Sequence, residues 1–104
     1  MRLLLLPIGV LGLVLSACSD GDDATTITIR DLAFEPADVT IASGDAVTWE
    51  WEDGSTEHSV VGFDFKEPPK ADGSFEHTFD EVGSYDYSCS IHPSMTGRIT
   101  VEER

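Results

Sequence analysis

Tyr85-Asp86-Tyr87-Ser88-Cys89-Ser90-Ile91-His92-Pro93-Ser94-Met95 reads as a strand that runs into a loop. Tyr85, Tyr87 and Cys89 alternate with Asp86 and Ser88, so the cysteine arrives on the same face as two aromatic rings. Pro93 follows His92 and bars a continuing strand, because proline has no amide hydrogen for a ladder. Cys89, His92 and Met95 therefore fall at three-residue steps on one short loop. A thiolate, an imidazole and a thioether placed this way suit copper: the sulfur donors favour Cu(I), and imidazole accepts either oxidation state. A further donor has to come from elsewhere, and His58 is the natural candidate. His58, Cys89 and His92 with a weak axial Met95 would make the blue-copper electron-transfer arrangement.

Outward from that stretch the apolar residues keep a period of two. Ile27 and Ile29 alternate with Thr26, Thr28 and Arg30, and Val39 and Ile41 flank Thr40. Ser43-Gly44-Asp45 makes a turn, after which Val47, Trp49 and Trp51 share a face opposite Thr48, Glu50 and Glu52. Asp53-Gly54-Ser55 breaks that strand, and a short run from His58 to Val61 follows. Glu67-Pro68-Pro69 and Ala71-Asp72-Gly73 read as an irregular connection, Phe75, His77 and Phe79 as a further strand, and Arg98 to Val101 as the closing one. Short strands split by turn residues at this spacing predict an all-β, antiparallel β-sandwich of about seven to eight strands.

Each candidate ligand has a plainer alternative. Cys89 alone could be a small buried hydrophobe, His92 a loop residue and Met95 a filler of core gaps. Their combination at fixed steps, ending a strand, favours a metal, and methionine favours copper over zinc. His77 is the rival to His58, but it lies mid-strand between Phe75 and Phe79, with no loop to carry it to the site. Its expected role is structural. Trp49 and Trp51 are expected in the core, while the exposure of Phe63 and Phe65 near the proline pair is left open.

These stretches resemble the cupredoxins, most closely their amicyanin, plastocyanin and halocyanin branch. The resemblance rests on Phe34-Glu35-Pro36 with Val39-Thr40-Ile41, Gly44-Asp45-Ala46-Val47-Thr48-Trp49, His58, Phe75 to Phe79, and Gly83-Ser84-Tyr85-Asp86-Tyr87 leading into the ligand loop. The two-residue gap between His92 and Met95 looks like amicyanin. The resemblance spans roughly residues 25 to 102 and implies a Greek-key sandwich, one type 1 copper ion and single-electron transfer. The family usually has asparagine directly after the first histidine, where it ties the ligand loops together. This chain has Ser59 there, which leaves that tie open.

The first seventeen residues read as a signal rather than as fold. Met1-Arg2 is positive, Leu3 to Leu15 is apolar, and Leu15-Ser16-Ala17-Cys18 resembles a bacterial lipobox in which the cysteine is acylated. The expected organisation is a signal over 1–17, an acidic tether over 18–24 and the domain over 25–104. Lipid on Cys18 would hold an exported domain to a membrane in the periplasm or cell envelope. A lipidated Cys18 could not pair with Cys89, so a disulfide is disfavoured and Cys89 stays available for metal.

Twenty acidic residues against six basic ones give a net charge of −14. That charge argues against nucleic acid as a partner. The acidity would either steer the domain toward basic redox partners or be a general surface property, as in proteins of saline habitats. The reading is a monomeric, non-enzymatic electron carrier that serves an unidentified protein donor and acceptor. Its rivals are a copper-delivery protein without redox work and a metal-free β-sandwich interaction module.

Overall fold

The computed structural model describes residues 25–104, so the expected signal, Cys18 and the tether lie outside the described residues. Nine strands follow one another: β1 (Thr25–Arg30), β2 (Ala33–Glu35), β3 (Asp38–Ala42), β4 (Asp45–Trp51), β5 (His58–Val61), β6 (Lys66–Lys70), β7 (Ser74–Phe79), β8 (Gly83–Ser88) and β9 (Thr96–Glu102). They form a four-stranded sheet in the order β2-β1-β4-β7 and a five-stranded sheet in the order β3-β9-β8-β5-β6. Seven of the nine are the strands that the alternating pattern predicts.

The two additional strands carry little periodic signal. β2 is three residues long and pairs with β1. β6 contains Pro68 and Pro69 and was expected to be irregular; instead it is the outer strand of the five-stranded sheet, paired only with β5. Proline is compatible with an outer strand because the missing amide can face solvent.

The sheets are mixed, which corrects the antiparallel expectation. β1 runs parallel to β4, from Thr25 opposite Val47 to Ile29 opposite Trp51. β3 runs parallel to β9, from Asp38 opposite Arg98 to Ala42 opposite Glu102. The cause is the crossover: β3 leaves the sheet of β1 and β2 for the other layer, and β4 returns beside β1. Apolar alternation shows which face of a strand is buried and carries no information about the direction of its neighbour.

Between the layers lies an aromatic core. Trp49 of β4 is completely buried and meets Tyr87 of β8 edge-on, with ring centroids 5.3 Å apart. Phe65 and Phe75 flank the Trp49 ring at 5.8 and 5.6 Å, and Phe34 meets Tyr87 at 4.7 Å. Contacts of this kind add about 0.5–1.5 kcal/mol each beyond simple burial. Phe63 and Phe65 part company: Phe65 is core, whereas Phe63 is 96% exposed on the turn between β5 and β6. Opposite Tyr87 in the ladder stands Gly97, where an added Cβ would come within 2.3 Å of the tyrosine ring. A side chain there would displace the ring, so glycine at 97 lets Tyr87 lie against β9. Tyr87 in turn fixes the strand end from which the ligand loop departs.

Candidate metal centre

The loop begins where β8 stops. The Cys89 amide donates to the Met95 carbonyl at 3.1 Å, and the Met95 amide donates to the His92 carbonyl at 2.9 Å. Below the loop, Ser88 pairs with Thr96 across β8 and β9, so residues 89–95 close a compact connection between neighbouring strands. These two internal hydrogen bonds tighten the loop and hold Cys89 and His92 close together.

His58 opens β5, which lies beside β8 in the same sheet. Its Nδ1 is 4.0 Å from Cys89 Sγ, and His92 Nδ1 is 3.6 Å from the same sulfur. The ligand atoms of all three residues lie within 4.8 Å of one another. Metal bonds of about 2.0–2.1 Å to imidazole and about 2.3 Å to thiolate, the lengths zinc makes, would separate donors on one ion by about 3.5–3.8 Å. The spacing therefore fits a single ion. His58 and Cys89 are almost wholly inaccessible, while His92 is half-buried. Met95 is also buried, at the far end of the loop.

Several groups prepare the sulfur to be a thiolate. Burial opposes its ionisation, but the amides of Ser59 and Ile91 and the imidazoles of His58 and His92 outweigh burial and bring its pKa down from 9.0 to about 6. The Ser59 amide points at Sγ from 3.4 Å. A thiolate is the form that binds metal.

Ser59 also supplies the tie between the loops. Its hydroxyl accepts the Ser90 amide at 2.8 Å and shares a second hydrogen bond with the Ser90 hydroxyl, also at 2.8 Å. The smaller side chain bridges β5 to the ligand loop because Ser90 meets it halfway. That pairing joins residues far apart in the chain and was invisible in the sequence. Asp53 was missed as well: it reads as part of a strand-breaking turn, yet its Oδ2 accepts His58 Nε2–H at 2.7 Å.

His77 stands apart from this cluster, as expected. It sits on β7 of the other sheet, stacked on Phe65 with centroids 5.0 Å apart and edge-on to Phe79 at 4.7 Å. Its ring belongs to the aromatic packing.

The sequence model of the copper binding proteins, plastocyanin/azurin family, matches residues 22–102. The chain belongs to this family. Amicyanin of Paracoccus denitrificans is 32% identical to this cupredoxin over 94 residues, covering 84% of this chain and 72% of that protein. Halocyanin of Natronomonas pharaonis is 38% identical over 80 residues, covering 67% of this chain and 48% of that protein. A purple cupredoxin from Nitrosopumilus maritimus superposes with a TM-score of 0.69 at 32% identity, covering 75% of this chain and 99% of that one. One copper ion is the cofactor expected of this cupredoxin, and copper electron transfer is what its family implies.

Proposed function

We propose that this cupredoxin is a type 1 copper protein that passes single electrons between larger redox proteins at the outer face of a cell membrane. The observation that carries the reading is the set of buried His58, buried Cys89 and half-buried His92 at single-ion spacing, with Met95 enclosed at the end of the same loop. His58, Cys89 and His92 would hold the ion, and Met95 would be the weak axial donor. Bound copper supplies the Cu(II)/Cu(I) couple. Burial of His58, Cys89 and Met95 keeps water from their side of the site, and the hydrogen-bonded loop limits how far the donors can rearrange when the charge changes.

Three strong donors and a thioether leave no position for a substrate, so the protein is a carrier rather than an enzyme. His92 is the half-buried ligand, and Ile91 and Pro93 beside it are exposed. No charged residue occurs from Ser90 to Thr96. This uncharged face would let a partner approach closely, while the acidic body steers basic partners from a distance. Export, with lipid on Cys18 as the membrane anchor, is supported by the signal-like start of the chain. The domain would work as a monomer.

Voltammetry of the copper-loaded chain tests the redox role. A reversible one-electron wave is the expected result, and its absence would favour a copper-delivery protein without redox work.

A further inference from the structure

His58 is gripped from both sides. Its Nδ1 faces Cys89 Sγ, while its other ring nitrogen, Nε2, lies 2.7 Å from Asp53 Oδ2. The imidazole is fully buried, and the Asp53 side chain is 19% exposed. Asp53 is itself held in place. The same Oδ2 accepts the Leu32 amide at 3.2 Å, and the Asp53 carbonyl accepts the Thr56 amide at 3.0 Å, closing the turn that carries it.

The partner turn is a tight hairpin. Asp31 and Leu32, between β1 and β2, have φ angles of +54° and +57°. Arg30 pairs with Ala33, so these two residues are the whole loop of an antiparallel hairpin, and a type I′ turn of that length requires positive φ at both positions. This fixed turn presents the Leu32 amide to Asp53. His58, Asp53 and the turn between β1 and β2 thus form one chain of contacts that joins the two sheets at the site.

We infer that Asp53 is the positioning residue of His58, directing Nδ1 at the metal and placing a negative charge one imidazole away from it. The inference rests on the reading of His58 as a ligand. A carboxylate that accepts Nε2–H keeps the proton on that nitrogen and leaves the Nδ1 lone pair free toward Cys89. A backbone carbonyl would fix the same tautomer without adding charge. The carboxylate makes the ring a stronger donor and favours the more highly charged oxidation state, so Asp53 holds the reduction potential down.

Two variants separate position from charge. Asp53→Asn can keep an oxygen where Oδ2 lies, while Asp53→Ala removes both oxygen and charge. Nitrogen NMR of the metal-free full chain reads the His58 tautomer without reference to copper. The parent and Asp53→Asn should show His58 as the Nε2–H form alone, and Asp53→Ala should show a mixture. In the copper-loaded chain both variants should raise the potential. A tenfold or greater shift of the reduced-to-oxidised ratio at fixed applied potential is expected, equivalent to about 59 mV. A merely structural role would lower the melting temperature of Asp53→Ala and leave the potential of Asp53→Asn unchanged. An unmoved potential in Asp53→Asn, or an unmixed tautomer in Asp53→Ala, overturns the inference. Should the chain fail to give a copper centre, the ligand reading falls, and the metal-free tautomer still reports whether Asp53 positions the ring.

Discussion

The Ser59 hydroxyl accepts the Ser90 amide at 2.8 Å and so joins the strand carrying one histidine to the loop carrying the cysteine and the other. Ser59 is completely buried. Replacing it with alanine removes the partner of the Ser90 amide on a part-buried bond, which costs about 0.5–1.5 kcal/mol. Urea unfolding of metal-free Ser59→Ala should show a lower midpoint at unchanged slope. A midpoint equal to the parent's would mean that the bridge does not hold the loop.

Met95 tests the axial position. Exchange of its soft thioether for the harder amide oxygen of glutamine removes a donor that favours Cu(I). Voltammetry of Met95→Gln should therefore give a potential below the parent's. A potential that stays put or rises would remove Met95 from the ligand set.

Gly97 ties packing to the site. An added methyl would overlap the Tyr87 ring, which stands two residues before Cys89. Overpacking of this kind costs about 1–3 kcal/mol. Gly97→Ala should melt earlier, and its copper-loaded form should have a shifted visible spectrum as the strand end moves. Normal melting with an unaltered spectrum would show that the ring has room to yield.

Docking is tested at Ile91, which is 48% exposed and next to His92. A glutamate there places charge in an otherwise uncharged contact and leaves the donors untouched. Electron self-exchange of Ile91→Glu should slow by about tenfold or more, equivalent to roughly 1.4 kcal/mol on the barrier. An unchanged rate would place electron exchange on another face.

How far the sequence could be read depends on whether the information was local. Val47, Trp49 and Trp51 announce a buried strand face by their spacing, and all three are in the core. Cys89, His92 and Met95 lie on one loop, so their grouping is visible in eleven residues. His58 could be chosen over His77 because a strand interior offers no route to the site. By contrast, the parallel pairing of β1 with β4 depends on a crossover between layers, which alternation does not encode. β6 was hidden by Pro68 and Pro69, residues acceptable there only because the strand is outermost. Ser90 and Asp53 acquire their roles from partners 31 and 5 positions away, and neither has a motif of its own.

The most direct measurement of the ligand set is the visible absorption of the full chain loaded with Cu(II), beside Cys89→Ser and His77→Ala. Thiolate bonded to copper gives an intense charge-transfer band, and His77 lies in the aromatic packing of the other sheet. The parent should bind one copper and turn an intense colour, His77→Ala should keep that colour, and Cys89→Ser should lose it. A colourless copper-loaded parent, or a His77→Ala variant that bleaches, would contradict the assignment.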